Sequence, residues 1–172
     1  MIDVQTSLEM RSPDVLRAAG PPRLPARLER VDPADFALSR RLYSGVGEEY
    51  GWTDRLVWSE RQWRDWTAGV ETWVAIAGDE SDGGDAAHAG FFELQVQPRS
   101  TVEITIFGLL PRFHGQGLGG WLLTAALEQA WRLHPDGTRR VWVHTRRLDG
   151  PAALPNYLAR GLRPFDALVA DV

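Results

Sequence analysis

The sequence predicts an α/β (α+β) fold in which helices pack around one mixed β-sheet. Stretches with strand and helix patterns follow one another in the order β-α-α-β-β-β-α-β-α-β. The chain has 172 residues, which suits a single domain with a sizeable core. Its composition, 44% hydrophobic and 24% charged, is ordinary for a globular protein. We therefore expect one folded unit.

The domain boundary is predicted near residue 26. Residues 1–26 are rich in proline and glycine and show weak periodicity, so we expect an irregular arm there. Residues 27–172 then form the single domain.

The first elements of that domain are a strand and two helices. Residues 26–31 alternate as a strand does. Asp32 is the expected N-cap of the first helix, and Ser59 that of the second. Trp63 and Trp66 share one face of the second helix because they lie three residues apart.

The second half of the chain has clearer patterns. "ETWVAIAG" and "GFFELQV" predict a hairpin joined by the polar surface turn "DESDGGDAAHA". "TVEITIFGLL" predicts a long strand, and "LGGWLLTAALEQAWRL" predicts an apolar helix after a glycine-rich turn. The remaining elements are a strand, a short helix that ends at Gly161 and a last strand: "RRVWVHT", "DGPAALPNYLARG" and "LRPFDALVA".

Composition excludes several kinds of chemistry. There is no cysteine, which excludes disulfides, thiolate metal sites and a cysteine nucleophile. All 19 basic residues are arginine, which excludes a Schiff-base lysine and a P-loop lysine. The net charge of −4 argues against nucleic acid as a partner. We find no signal peptide and no membrane-span pattern, so we expect a cytoplasmic protein without a membrane partner.

The densest cluster of glycines lies in "FHGQGLGGWLL", between a strand and a helix. Gly115, Gly117 and Gly120 satisfy G-x-G-x-x-G, the fingerprint of dinucleotide binding. The context argues against that function, because the acidic residue expected at the end of the next strand is missing: that region reads "VWVHTRRLD", and Asp149 comes too late. A nicotinamide-dinucleotide enzyme is therefore the weaker alternative.

The longer segment "EITIFGLLPRFHGQGLGGWLL" resembles the acetyl-CoA-binding segment of the GNAT superfamily of N-acetyltransferases. Gly117 and Gly119 match the two small positions of the family turn Q/R-x-x-G-x-G/A. His114 stands where the family has glutamine or arginine, which is a departure. A helix N-terminus with free N–H groups is also a ready anion site.

A second stretch, "LDGPAALPNYLARGLRPF", resembles the carboxy-terminal motif of the same family. There Asn156 and Tyr157 lie on the short helix, and Gly161 takes the position of the motif's glycine. One clear strand follows Gly161, where the family has room for two. The amino-terminal arm or a partner chain would fill that place in the sheet.

The resemblance implies a mixed, mostly antiparallel sheet with a splayed strand pair that holds acetyl-CoA. Backbone groups of Phe107 and Leu109 would pair with the pantetheine arm. The cofactor's pyrophosphate would bind at the glycine turn, with Asn156 beside it; the turn residues are His114, Gly115, Gly117, Leu118, Gly119 and Gly120. No metal is implied.

Acetyl transfer from a thioester to an amine needs a base and an acid. Tyr157 is the expected acid for the leaving thiolate. Glu103, eleven residues before His114, is the expected base, because a glutamate at a similar offset serves as base in the histone-acetylating branch. Glu93 is a rival, and if both carboxylates project into one cleft their repulsion would raise one pKa. His144 is a further candidate.

Four tryptophans fall in the loop-and-helix region that forms the acceptor wall in this family: Trp52, Trp58, Trp63 and Trp66. With acidic neighbours they would suit a cationic amine by charge attraction and cation–π contact. We expect Trp52, Glu49 and Tyr50 to contact the substrate. A small secondary core is the equally open alternative for these aromatic residues.

The sequence thus predicts an N-acetyltransferase that moves an acetyl group from acetyl-CoA to a primary amine, in a small molecule or a peptide, by direct attack in a ternary complex. A CoA-binding regulatory module without turnover is the competing hypothesis. A homodimer is left open.

Overall fold

A computed structural model describes residues 2–78 and 86–171 of the chain. Most of the predicted polar turn lies outside the described residues. Within them the chain forms seven strands: β1 (Ile2–Met10), β2 (Ala26–Arg30), β3 (Glu71–Ala77), β4 (Ala87–Gln97), β5 (Thr101–Leu109), β6 (Arg140–Arg146) and β7 (Arg163–Asp171). It also forms four α-helices: α1 (Phe36–Gly47), α2 (Glu60–Gly69), α3 (Leu118–Leu133) and α4 (Ala153–Ala159).

The strands form one sheet in the order β2-β3-β4-β5-β6-β1-β7. Neighbouring strands are antiparallel, except that β5 and β6 run parallel. Helix α3 connects these two parallel strands, as a crossover must. The predicted mixed, mostly antiparallel sheet flanked by helices is confirmed.

The prediction of an irregular arm over residues 1–26 is wrong for residues 2–10. These residues form β1, which pairs with β6 on one side and β7 on the other. Leu8 and Met10 are buried in the core. The prolines and glycines of residues 12–25 obscured the alternation of the first ten residues, whose partners are more than 130 positions away. The amino-terminal segment therefore fills the sheet position that the sequence left open.

Two apolar cores lie on opposite faces of the sheet. The larger one packs α3 against the sheet and includes Leu122, Leu127 and Val143. The smaller one packs α1 and α2 against β3 and β4. Since side chains alternate between the faces of a strand, the central strands β3 and β4 contribute to both cores.

The helix caps differ in part from expectation. Helix α1 begins at Phe36, because the Asp35 side chain accepts a hydrogen bond from the Leu38 N–H. Asp32, the predicted cap, instead accepts from Ala34 in the preceding turn. Ser59 caps α2 as predicted, in a reciprocal capping box with Gln62.

Strands β5 and β6 separate partway along their length. Their paired residues run from Thr101 and Arg140 to Ile104 and Val143, but β5 continues to Leu109. A β-bulge against β4 lies at this point: Glu93 pairs with Ile106 and Leu94 with Ile104, so Thr105 is the extra residue. A bulge bends its strand and increases the local twist. The carboxyl-terminal half of β5 therefore leaves β6 and opens a gap in the sheet.

The loop between α1 and α2 is anchored by a buried ion pair. Arg55 Nη1 donates to both carboxylate oxygens of Glu93, at 3.1 and 2.9 Å. The guanidinium also lies over three aromatic rings, with its central carbon 5.3 Å from the Tyr43 ring centroid, 5.1 Å from that of Trp58 and 4.4 Å from that of Trp66. We call these five residues the arginine cage.

Leu8→Ala tests the place of β1 in the sheet. Leu8 is fully buried, so its truncation should lower the free energy of unfolding by about 2–5 kcal/mol in urea denaturation. Val15→Ala, on a side chain that is 49% exposed, is the control and should change it by less than about 0.5 kcal/mol. Equal, small effects of the two changes would contradict the position of β1.

Arg55→Met tests the arginine cage. Removing the cation leaves the fully buried Glu93 carboxylate uncompensated, which should lower the free energy of unfolding by about 3–5 kcal/mol. The double variant Arg55→Met/Glu93→Gln removes both charges and should recover much of that loss, as measured by urea denaturation. A double variant that is less stable than Arg55→Met would argue against the ion pair.

Candidate active site

A cleft of about 580 Å³ opens where β5 and β6 separate. The second half of β5 and the end of β6 form its sides. The glycine turn, helix α4 and the loop after α1 close it. The lining side chains that matter for chemistry are Tyr43, Tyr50, Trp52, Asp54, Arg55, His114, His144, Arg146, Asp149, Asn156 and Tyr157.

The backbone of β5 turns hydrogen-bonding groups toward this cleft, of which the Leu109 carbonyl already accepts from His114 Nε2. The Leu110 N–H donates to the Ala89 carbonyl of β4 at 2.8 Å. The backbone groups of Leu110 therefore point toward β4. Antiparallel pairing alternates, so the N–H and C=O groups of Phe107 and Leu109 point away from β4, toward the splay. Both residues line the cleft. This is the geometry that an extended ligand needs to pair with a strand edge.

His114 holds the start of the glycine turn against β5. Its Nε2 lies 3.1 Å from the Leu109 carbonyl oxygen, and a carbonyl can only accept, so Nε2 donates in this contact. The imidazole also stacks on Tyr50, with ring centroids 6.4 Å apart. His114 thus closes one end of the cleft in addition to its place in the turn.

Two glycines of the turn have backbone conformations that other residues rarely adopt. Gly115 has a φ of 73° and Gly117, the N-cap residue of α3, a φ of 78°. Gly115 and Gly119 line the cleft. Asn156 Nδ2 donates to the Gly119 carbonyl at 3.1 Å and so fixes α4 against the turn. The absence of side chains at Gly115 and Gly119 lets a ligand reach the backbone.

The other predicted turn residues have different environments. The Leu118 side chain is fully buried in the larger core. Gly117 packs against Arg23, and Gly120 packs against Arg160. None of these three residues lines the cleft, and their packing positions the turn. His114, Gly115 and Gly119 are the turn residues that line the cleft.

Tyr157 lies on α4 with its ring edge toward Phe107, at a centroid distance of 6.0 Å. Only 5% of the residue is exposed, and it lines the cleft. Burial raises the pKa of the Tyr157 phenol, and the Asp149 carboxylate raises it further. The phenol therefore holds its proton at neutral pH, as a general acid must before it donates.

The two predicted carboxylates do not share the cleft. Glu93 is fully buried in the arginine cage, where Trp66 Nε1 also donates to it at 3.0 Å. Glu103 is 9% exposed and is not among the residues that line the cleft. The condition under which the two carboxylates would repel each other is therefore not met, because neither of them lines the cleft. Glu93, paired with Arg55, is unsuited to the role of base.

Of the three residues predicted to contact the substrate, two line the cleft and one does not. Tyr50 and Trp52 line the cleft, and Trp52 Nε1 donates to Asp149 at 3.0 Å. Glu49 is exposed and does not line the cleft. The expectation for Glu49 is not met, because it lies in a short 3-10 turn, Glu48–Tyr50, that presents Tyr50 to the cleft instead.

The other tryptophans of this region belong to the secondary core. Trp63 is fully buried, and Trp58 and Trp66 surround Arg55. The cation–π position that the sequence suggested for a substrate ammonium is therefore filled by the protein's own arginine. Sequence analysis missed Arg55 and Asp149. The placement of Arg55 between aromatic stretches, in "YGWTDRLVW", was the available signal for Arg55.

No group of three or more His, Asp or Glu side chains within residues 2–78 and 86–171 is arranged to hold a metal ion. None of the described helices is both long and apolar enough to cross a membrane.

Solved structures share this fold at low sequence identity. A GCN5-related N-acetyltransferase from Sphaerobacter thermophilus is 17% identical, with a TM-score of 0.66, over 98% of this chain and 50% of that one. One from Kribbella flavida is 16% identical, with a TM-score of 0.65, over 96% and 56%. An aminoglycoside acetyltransferase from an uncultured soil metagenomic sample, in complex with trehalose, is 17% identical, with a TM-score of 0.60, over 78% and 86%. The chain spans about half the length of the first two.

A comparison with curated protein sequences finds no match. The family model described as "Acetyltransferase (GNAT) family" matches residues 38–162, well over half of the chain. That range includes the splayed strands, the glycine turn and Tyr157. The chain therefore belongs to the GNAT acetyltransferase family.

Proposed function

We propose that this protein is an N-acetyltransferase that moves an acetyl group from acetyl-CoA to a primary amine, by direct attack in a ternary complex. The observation that carries the proposal is the end of β5–β6 pairing at Ile104 and Val143. It opens a cleft with a strand edge on one side and a glycine turn and a buried tyrosine on the other. Family membership supports the same activity.

The residues of the cleft fit the parts of acetyl-CoA. The N–H and C=O of Phe107 and the N–H of Leu109 would bind the amide-containing pantetheine arm as a neighbouring strand would, beside the Leu109 C=O that accepts from His114. The N–H groups of the turn at the start of α3 would bind the pyrophosphate, because a helix N-terminus favours an anion. Gly115 and Gly119 leave the space for close approach.

Acetyl-CoA, when bound, supplies the activated thioester for the transfer. The amine nitrogen forms a bond to the carbonyl carbon, and the carbon–sulfur bond breaks. Tyr157 Oη would give its proton to the leaving sulfur. A base on the β5–β6 side would take the proton of the amine. General acid and base groups contribute roughly 10²–10⁴-fold to such reactions.

The acceptor is proposed to be an amine on a small molecule or a peptide. The aromatic residues Tyr43, Tyr50 and Trp52, together with Asp54, line the cleft. Aromatic faces and a carboxylate attract an ammonium group. One structural neighbour is an aminoglycoside acetyltransferase, which supports a polar amine as a candidate. Glu49 does not line the cleft, so the proposal gives it no contact with the acceptor.

The two competing hypotheses differ in their support. A nicotinamide-dinucleotide enzyme would need a doubly wound parallel sheet. Among the described strands, only β5 and β6 are parallel neighbours, so the sheet does not support it. A CoA-binding module without turnover fits the same cleft, and a turnover measurement separates it from an enzyme.

Gly119→Ala tests the site of the cofactor. A methyl group here would meet Asn156 at 3.6 Å and Leu109 at 3.8 Å, which are ordinary contacts, so the fold should be retained. The methyl would enter the cleft, and the Kd for acetyl-CoA should rise about tenfold or more by calorimetry. Gly69→Ala, on α2 with open space around it, is the control. Unchanged affinity in Gly119→Ala would place the cofactor elsewhere.

Tyr157→Phe and a panel of amines test the activity itself. The chain has no cysteine, so CoA thiol released from acetyl-CoA can be followed with a thiol reagent without background from the protein. We expect turnover with at least one of spermidine, kanamycin, tyramine and a peptide with a free amino terminus. Tyr157→Phe should lower kcat about 100-fold and leave the Kd for acetyl-CoA unchanged, because it removes the proton but not the ring.

If acetyl-CoA binds and no amine in the panel releases thiol, the regulatory module replaces the enzyme. If Tyr157→Phe turns over as fast as the wild type, Tyr157 is not the acid.

A further inference from the structure

The face of the sheet opposite α3 carries a connected group of polar side chains beside the cleft. Glu103 on β5 stands opposite Trp142 on β6, and His144 lies two residues further along β6 on the same face. His144 lines the cleft, whereas Glu103 does not. The imidazole therefore stands between the carboxylate and the space in which the amine would react.

The two oxygens of Glu103 have different partners. Gln97 Nε2 donates to Oε2 at 2.6 Å, while Oε1 lies 3.6 Å from Nδ1 of His144. Gln97 is held in turn, because Trp142 Nε1 donates to its Oε1 at 2.9 Å. The amide therefore presents its N–H to Glu103, and the carboxylate directs its other oxygen at the imidazole.

This arrangement selects one form of the histidine. A carboxylate beside Nδ1 favours a proton on that nitrogen, and the neutral imidazole then carries its lone pair on Nε2. Its side chain is 37% exposed and belongs to the cleft wall.

We propose that His144 is the general base of this site, and that Glu103 is a positioning residue that acts through it. The inference rests on the proposed acetyl transfer. As the amine nitrogen bonds to the carbonyl carbon and the carbon–sulfur bond breaks, Nε2 of His144 accepts the proton that the amine loses. Nδ1 keeps its proton toward Glu103, and the imidazolium releases the accepted proton to water after the product leaves.

The charged groups around His144 are few in the described part of the chain. From β5 it faces Glu103, and on β6 Arg146 follows on the same face. The neighbouring strand β1 places Ser7 opposite it and Gln5 in the cleft wall, neither of which is charged. Glu9 of β1, opposite Trp142, is paired with Arg140 and Arg11. The loop after α1 adds two charged residues to the cleft wall, Asp54 and Arg55.

Nitrogen-15 NMR of the histidine side chains tests the arrangement without any acceptor. The chain has four histidines, and the signal lost in His144→Asn identifies His144. We expect a neutral imidazole protonated at Nδ1 in the wild type, and loss of that preference in Glu103→Gln. Protonation of His144 at Nε2 in the wild type would overturn the proposal.

Steady-state kinetics with the best amine of the panel test the role in catalysis. His144→Asn and His144→Gln should each lower kcat about 100-fold or more, with an unchanged Kd for acetyl-CoA. Glu103→Gln should lower kcat about tenfold, since the carboxylate no longer orients the imidazole. His88→Asn, on an exposed residue of β4, is the control and should leave kcat unchanged.

Thermal melting of each variant establishes that it is folded. Folded His144 variants that retain kcat within about twofold, or a Glu103→Gln variant more impaired than either of them, would overturn the proposal in favour of Glu103 as the direct base. Absence of turnover in the wild type would contradict the proposed function. The NMR measurement would still show whether Glu103 keeps the proton of His144 on Nδ1.

Discussion

The parallel pairing of β5 and β6, which lasts for four residues and then ends, is the constraint on which the site depends. A sheet with continuous pairing would have no free N–H and C=O groups in its middle. Here the bulge at Thr105 turns β5 toward β4 and away from β6. The polar backbone groups that lose their partner then face a cleft, where water or a ligand can satisfy them.

The bent half of β5 is held on both sides by close packing. A Cβ at Gly108 would meet the Val46 side chain on α1, and a Cβ at Gly90 on β4 would meet the Gly108 carbonyl oxygen. Glycine at both positions lets α1 and β4 approach the strand directly. Because β5 cannot return to β6 without breaking these contacts, the splay is part of the folded core and does not wait for a ligand.

The arginine cage fixes the same region from the acceptor side. Glu93 lies at the bulge, and Thr105 Oγ1 donates to one of its carboxylate oxygens at 3.3 Å. Arg55 binds this carboxylate and carries the loop that leads to α2. One buried pair thus joins the bulge to the aromatic wall of the cleft. A buried ion pair adds little net stability, but breaking it is costly, which favours a single position for the loop.

Sequence patterns predicted the parts of the site that depend on local chemistry. The glycine turn, the caps of α2 and the tyrosine of α4 each carry a signal within about ten residues. The strand β1, the Arg55–Glu93 pair and the contact of Glu103 with His144 depend on residues that are distant in sequence. Arg55 meets Glu93 across 38 positions, and β1 pairs with residues 141–146, so no local period indicates either contact. Alternation along β5 and β6 placed Glu103 and His144 on strands, but it could not say which of them reaches the cleft.

The alternation of side chains also separates the proposed acid, Tyr157, from the proposed base, His144. Val141 and Val143 point into the larger core beside α3, and Tyr157 packs into that core from α4. Trp142 and His144 point to the other face, where Glu103 and Gln97 hold them. A proton donor and a proton acceptor on opposite faces of a continuous sheet could not act on one molecule. The splay removes the strand-to-strand contact between them, so a thioester lying in the gap would have its sulfur near Tyr157 and its carbonyl carbon open to an amine from the His144 side. The same local loss of pairing thus creates the binding edge and brings the two faces of the sheet to one reaction.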